Sequence, residues 1–410
     1  MEISLAYGNA EIVIEIPDGV TTDQFGVTSA ESPVSYEEFA ASFAAGGCEK
    51  MLSCASPLIV VNDGHRSTPT SQVLGFLDKR DDSLLDRARF LIATGTHPAP
   101  TDEHLRTIFG PFLDRVRNRV VWHDATDESL MMKIGQDHFG EDVFVNRLVQ
   151  EHELVLVISS VEPHYFAGFT GGRKSFLPGL TNLATVERNH NLANSLEAAP
   201  LKIAGNPVAE HMDELLHMLE LDKLLSVLVV VDAGGNVASI HCERVDRAFD
   251  DAIASAAKLY AHTIDDQYDL VLAEVLPPLD KSLYQAQKVL ENTQAAVRDG
   301  GAAVVVSACS EGIGSRRFYE LANWWNAETN QSSDGVQYFG SHKLSRVNTI
   351  RKRIDVRLHS NLESETVRHV YYEPVDDLGT FVNERLSSAQ QPARLAVVHD
   401  AGQTVLHKSN

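Results

Sequence analysis

The chain has 410 residues, 43% of them hydrophobic and 22% charged, the make-up of an ordinary folded protein with room for two or three domains. Its net charge of -22 argues against nucleic acid or an anionic membrane surface as a partner, because phosphate backbones are met by basic patches. No apolar run approaches the roughly 20 residues that span a bilayer, and the scattered Cys48, Cys54, Cys242 and Cys309 lack metal-ligand spacing, so they read as buried small hydrophobes of a cytoplasmic protein.

In chain order, Met1 to Gly19 has no basic head and no long apolar core, and it reads as a strand pair, not a signal peptide. Leu58 to Val61 is a short aliphatic run of the buried-strand kind, and it empties into NDGHRSTPT. There Arg66 can grip a substrate carboxylate through two parallel hydrogen bonds, or form a structural ion pair with a residue such as Asp63. Phe90 to Ala93 leads into TGTHPAPTDEHL, which carries His97. Thr101 followed by Asp102 and Glu103 predicts a helix start: a capping hydroxyl, then two acids favoured by the helix dipole. His104 and His123 read as structural histidines.

Leu154 to Ile158 leads into VEPHYFAGFTGGRKSFLPG, the most informative stretch of the chain. A strand that empties into a glycine-rich basic loop is a common phosphate holder, and Glu162 and His164 add acid–base groups. Gly168 to Ser175, GFTGGRKS, misses the P-loop pattern because Arg173 stands where its last glycine belongs. A phosphate-binding loop of another kind is the favoured reading, with Gly171 and Gly172 in its turn and Lys174 reactive or touching the ligand. His190, in VERNHN, follows sixteen residues after Lys174 on an expected helix.

Further helical patterns cover Asp213 to Leu225 and Tyr284 to Val297, and further strand runs Val227 to Val231, Leu270 to Ala273 and Ala302 to Val306. Gln285 and Lys288 are three apart, so a helix puts them on one face, beside Tyr284. Asn323 to Gly335 reads as an exposed loop and Arg394 to Leu406 as strand–turn–strand. Strands alternating with helices imply an α/β protein with substantial parallel sheet, whose ligands gather beyond the carboxyl ends of the strands. A junction near Thr263 to Asp269 divides the chain into 1–265 and 266–393, with the tail 394–410 returning to the first part.

The residues alone leave three readings open. One is an enzyme acting on a small anion, with histidine acid–base pairs and a phosphate-bearing cofactor. Another is a hydrolase with a metal on His97, His164 and His190, as zinc would serve. The third is a nucleotide-binding protein built on the Gly168 to Ser175 loop.

The segments DGHRSTPT, ATGTHPAPT, VEPHYFAGFTGGRKSFLPG, ERNHN and LYQAQK, in this order and at compatible spacing, resemble the nickel-dependent lactate racemase family over most of the chain. The resemblance implies two mixed α/β domains with largely parallel sheets and an active site in the cleft between them, residues 1–265 holding cofactor and nickel. The family's cofactor is a nickel-pincer nucleotide, a pyridinium mononucleotide with thiocarbonyl arms, here implied to be tethered to Lys174 with nickel on His190. Square-planar geometry suits Ni(II). The glycine-rich loop with Gly171, Gly172 and Arg173 would hold its phosphate.

The implied reaction is racemisation or epimerisation of a 2-hydroxy acid by reversible hydride transfer from Cα. His97 and His164 are implied as acid and base, and Arg66 and Lys288 as the carboxylate holders. Asp63, Tyr284 and Gln285 match positions lining the cofactor or substrate pocket. The resemblance also implies cofactor-synthesis proteins as maturation partners, and a homo-oligomer is compatible with it. Two departures point away from lactate toward another 2-hydroxy acid. The family's second-domain tryptophan has no match, Tyr338 or Phe339 standing in its place, and the first loop reads GHRSTP with an added His65.

Overall fold

The computed structural model describes residues 1–334, 338 and 340–409. These divide into two compact units, one of residues 28–192 and 201–259, the other of 1–27, 193–200 and 260–410. Both are α/β layers around a six-stranded sheet, and parallel pairing dominates. Among the described residues no helix is long and apolar enough to cross a membrane. All four cysteines are buried and unpaired, as expected.

The first unit's sheet runs, edge to edge, Val237–Arg244, Leu224–Val231, Val155–Ser160, Leu58–Asn62, Arg89–Ala93 and Val120–Trp122. Only the Val237–Arg244 edge is antiparallel. Leu224 to Val230 is buried without a break, as a strand covered on both faces requires. Numbered by sequence, the spatial order is 3-2-1-4-5-6. It reverses between Leu58–Asn62 and Val155–Ser160, and such a reversal leaves a crevice beyond the strand ends. The capping expectation holds: helix Asp102–Phe109 starts at Thr101, whose hydroxyl accepts from the His104 backbone N–H at 3.2 Å.

The second unit's sheet is parallel throughout, in the order Glu373–Pro374, Asp355–His359, Val297–Val306, Tyr268–Glu274, Arg394–Val398 and Thr21–Phe25. Its side chains alternate between two cores. Leu270 and Leu272 join one, and Val271 and Ala273 the other. The hairpin Glu2–Tyr7/Ala10–Glu15 belongs here, because its Ile3, Leu5 and Ile14 share the Leu270 and Leu272 core. The compact units differ from the expected sequence division in two places. The amino-terminal residues 1–27 join the carboxyl-terminal unit, and the tail strand Arg394–Val398 pairs with Tyr268–Glu274 instead of returning to the first part.

Two expected helices also differ. The helix predicted over 213–225 lies at Pro207–His217, set by Asn206, whose side chain accepts from the backbone N–H groups of Val208 and Ala209, with Pro207 at the first helical position. The helix predicted over 284–297 is broken into Leu283–Ala286, Lys288–Thr293 and a final tight turn. The loop predicted over 323–335 carries a minimal hairpin, Trp325–Asn326 with Gln331–Ser332.

At the reversal point of the second sheet, Glu274 accepts from the Ala6 backbone N–H at 2.5 Å and faces His399 Nδ1 at 3.0 Å. His399 Nε2 lies 3.0 Å from Gln24 Oε1. Both ring nitrogens thus face acceptors, which favours the imidazolium. The Glu274 hydrogen bond accordingly raises the His399 pKa. Burial acts to raise that of Glu274, but the His399 bond and charge with the Ala6 and Asp400 N–H groups outweigh it and lower it. The carboxylate's contribution to stability is present above its unfolded pKa and lost in acid. The imidazolium's is present below the unfolded histidine value and lost as pH rises through its raised value. His399→Gln is therefore expected to cost about 1 kcal/mol near pH 5.5 and much less near pH 8.5 in urea unfolding. Equal losses at both pH values would show a neutral ring in the fold.

Candidate active site

The loops that follow Leu58–Asn62, Arg89–Ala93 and Val155–Ser160 all leave the carboxyl edge of the first sheet, and they carry most of the residues singled out above. The first and third are tied across the reversal point. Thr68 Oγ1 lies 2.8 Å from Ser160 Oγ and accepts from Asn62 Nδ2 at 2.7 Å.

Asp63 is buried, and its Oδ2 lies 2.5 Å from His97 Nδ1. Its burial acts to raise the carboxyl pKa, but the His97 bond and the charges of His97, Arg66 and His65 prevail and hold it below the usual value. A carboxylate at Nδ1 places the proton there, so His97 presents the lone pair of Nε2. His65 packs edge-on against His97, with ring centroids 4.7 Å apart, and burial lowers its pKa. Arg66 Nη1 is 3.8 Å from Glu162 Oε1, which links the first loop to the third. Asp63, expected to line the cofactor, is thus placed to orient His97.

His164 sits in a two-residue strand that pairs with Gly168–Phe169, and it is 9% exposed. Its Nδ1 accepts from the Ala167 backbone N–H at 3.2 Å, so the proton of the neutral ring belongs on Nε2. That nitrogen lies 3.3 Å from Lys174 Nζ.

The turn that carries Lys174 depends on glycine. Gly171 has φ 79°, and a Cβ there would fall 2.6 Å from the Ser160 carbonyl oxygen. Gly172 has φ 51° and donates its N–H to Ser159 Oγ at 3.1 Å. Arg173, at the position where a P-loop keeps glycine, is 2% exposed. Its guanidinium stacks 4.7 Å from the centre of the Phe249 ring and donates from Nη1 to Asp213 at 2.5 Å. Nε and Nη2 are buried without a hydrogen-bond partner. Most of this charge is therefore matched inside the unit, a constraint invisible in the spacing of the loop.

His190 lies on helix Leu183–Asn191, and its Nδ1 is 3.0 Å from the Val186 carbonyl oxygen four residues back. Nδ1 must be the donor, so any metal on this ring would have to take Nε2. The Phe166 ring stands between two of the histidines, 4.5 Å from His164 and 5.3 Å from His190. Among the described residues His97, His164 and His190 do not form a set with ligand atoms within 4.8 Å of one another. The sets that do are Asp63, His65 and His97, and His138, His211 and Glu214. This weakens the three-histidine hydrolase reading. His104 and His123 are structural as expected, one in the capping box and the other buried with Nε2 3.0 Å from the Thr181 oxygen.

In the second unit Tyr284, Gln285 and Lys288 fall together: Lys288 Nζ donates to Gln285 Oε1, so the expected shared face exists. Lys343, fully buried, donates to the Tyr284 carbonyl at 2.9 Å and sits 4.1 Å from the centre of its ring. Burial and the nearby Lys288 charge push its pKa well down. The sequence reading did not single out Lys343, which lies on the buried helix Ser341–Ile350. Tyr338 donates to Asp334 at 2.5 Å, and Phe339 lies outside the described residues.

Two family models match the chain, one described as the lactate racemase N-terminal domain over residues 7–200 and one as the lactate racemase C-terminal domain over 267–406. The lactate racemase of Thermoanaerobacterium thermosaccharolyticum is 24% identical over 99% of both chains. That of Lactiplantibacillus plantarum is 31% identical over 64% of this chain and 62% of its own. The solved structure of the Thermoanaerobacterium lactate racemase apoprotein superposes with a TM-score of 0.85 at 22% identity, covering 99% of this chain and all of that one. A Thermotoga maritima protein gives 0.70 at 16% identity, over 93% of this chain and all of that one. At these identities the two structures speak for the fold.

Asp213→Ala would take away the ion-pair partner of the Arg173 guanidinium and leave Asp250 as the nearby acid. Because Asp213 is itself 37% exposed, the change is expected to destabilise the protein by about 1.5 kcal/mol, read as a fall in the urea midpoint. A loss under about 0.5 kcal/mol would mean that the guanidinium finds another anion or solvent.

Proposed function

The chain belongs to the lactate racemase family, and on that premise we propose that it racemises or epimerises a 2-hydroxy acid with His97 and His164 as the acid–base pair. The observation that carries this reading is the opposite kind of Nδ1 partner on the two rings, a carboxylate oxygen at His97 and a backbone N–H at His164. Asp63 leaves His97 with a lone pair on Nε2, and the Ala167 N–H leaves His164 with a proton on Nε2. A racemase that works through a ketone needs one group to take the hydroxyl proton and another to return it on the opposite face.

The residues fit the family's nickel-pincer nucleotide. His190 offers Nε2 to a metal because Val186 occupies its other nitrogen. Lys174, held on the glycine turn with Nζ 3.3 Å from His164 Nε2, would be the amine for a covalent tether. Arg173 has two donors without partners beside the close backbone of Gly171 and Gly172, a setting that suits a phosphate. When bound, that group supplies the acceptor for the hydride of substrate Cα.

The chain's own residues handle protons and charge. His97 Nε2 takes the hydroxyl proton, Asp63 holds the resulting imidazolium in orientation, and His164 Nε2–H returns a proton to the product oxygen. The two rings finish with their protons exchanged, which readies the pair for the opposite enantiomer. Arg66 and Lys288 are the proposed cations for the carboxylate and the developing oxyanion, with Gln285 holding Lys288 and Tyr284 beside it. Residues 1–265 were expected as the cofactor domain; the proposal now rests on 28–192 and 201–259, where Lys174 and His190 lie. The substrate is proposed to be a 2-hydroxy acid other than lactate, on the strength of the unmatched tryptophan and of His65 against His97. The protein is proposed to be cytoplasmic and matured by cofactor-synthesis proteins.

Protein made alongside that machinery tests the reading by peptide mass spectrometry, nickel analysis and chiral assay of a hydroxy-acid panel. Lys174→Ala is expected to lose the adduct and His190→Ala the nickel. His97→Ala and His164→Ala should keep both and lose roughly 10²- to 10⁴-fold in kcat. Asp63→Asn should keep both and lose a comparable factor. Normal racemisation by His164→Ala would end the two-base scheme, and lactate as the best substrate would end the substrate proposal. Unmodified Lys174 without nickel, beside a control racemase that loads normally, would favour the nucleotide-binding alternative.

A further inference from the structure

Away from the loops described above, the hairpin Met131–Gln136/Asp142–Asn146 closes in a turn that Asp137 shapes, its Oδ1 accepting from the backbone N–H groups of Phe139 and Glu141 at 3.1 Å each. The turn presents His138 to helix Pro207–His217. On that helix His211 and Glu214 are three residues apart and share a face. His138 Nδ1 is 2.5 Å from Glu214 Oε2, and the His138 and His211 rings meet edge to face with centroids 5.5 Å apart. One ligand atom from each of the three lies within 4.8 Å of the other two.

A second observation is independent of this clustering. His211 is 1% exposed, and its Nε2 has no hydrogen-bond partner. Asp137 Oδ2 is 3.4 Å from it, but that oxygen already accepts from Arg188 Nε at 2.9 Å. A buried imidazole nitrogen left in this state is unusual in a folded protein and calls for an occupant.

The geometry points to a second metal site: a divalent cation of borderline character, with Zn²⁺ as the reference case, held by His138, His211 and Glu214 with water as a fourth ligand. Two imidazoles and a carboxylate are a common zinc donor set. Ligation through Nε2 moves the His211 ring proton to Nδ1, which lies 3.3 Å from Asn189 Nδ2. Asn189 Oδ1 is buried without a partner. Turning that amide over makes Oδ1 the acceptor for Nδ1–H, at the cost of its 3.0 Å bond to the Val208 oxygen. The cation would clamp the hairpin to helix Pro207–His217. It would also stiffen helix Leu183–Asn191, because Arg188 and Asn189 both touch the cluster one and two residues before His190. The inference stands whether or not the chain is a racemase.

Full-length protein, freed of metal by chelation and without the nickel cofactor, is titrated with zinc chloride by calorimetry and by thermal unfolding. His65→Ala removes a ligand from the other His/Asp cluster and serves as the control. The expected result is that wild type and His65→Ala share one equivalent, with Kd of about 10 µM or tighter, and rise in Tm with zinc. His138→Ala and Glu214→Gln should each lose that equivalent and the zinc-dependent rise. The Tm without zinc verifies that each variant folds, and Glu214→Gln, being isosteric, decides alone if His138→Ala does not. Equal zinc uptake by wild type and Glu214→Gln would overturn the site, as would loss of all uptake in His65→Ala.

Discussion

Two parallel neighbours, Leu58–Asn62 and Val155–Ser160, send their connections to opposite sides of the first sheet, and the chemistry of that unit hangs from the resulting gap. A crossover helix cannot cover both strand ends at once, so the loops beyond them are left facing each other. The Thr68–Ser160 bond sets how far apart they stand. From this one topological fact follow the approach of Arg66 to Glu162, the position of His164 and the turn that presents Lys174.

Within that frame the backbone decides what each histidine can do. A carboxylate beside His97 and a backbone carbonyl beside His190 both call for Nδ1–H, whereas a backbone N–H beside His164 calls for Nε2–H, so three identical side chains take two proton placements. Only the first uses another side chain for the purpose. The other two come from local folding: a tight turn for His164 and an ordinary helical carbonyl four residues back for His190.

Much of this was legible because it is local. The six aliphatic runs are strands, and the polar loops after three of them carry the site, since period and punctuation report short-range structure. Thr101 worked as a cap for the same reason. What stayed hidden is long-range. The residues 1–27 read as part of the first unit until Ile3 and Leu5 are seen packed with Leu270 and Leu272. The ion pair of Arg173 was hidden as well, because its partner, Asp213, is forty residues away. The helix after Ser282 breaks although its residues suit a continuous one, and Lys343 gave no local hint that it would lie over Tyr284.

Among the described residues the edge strand Thr21–Phe25 hydrogen-bonds in its sheet to Arg394–Val398 alone. On a ribosome the first of these partners emerges long before the second, and at ordinary translation rates the wait is on the order of tens of seconds. During that time the strand has an unsatisfied edge and the hairpin ahead of it an uncovered apolar face. The strand's own sequence, TTDQF, is polar enough to wait without sticking to other chains. The first unit, whose segments are complete by residue 259, can close during synthesis, whereas the second can be finished only after nearly the whole chain has been made.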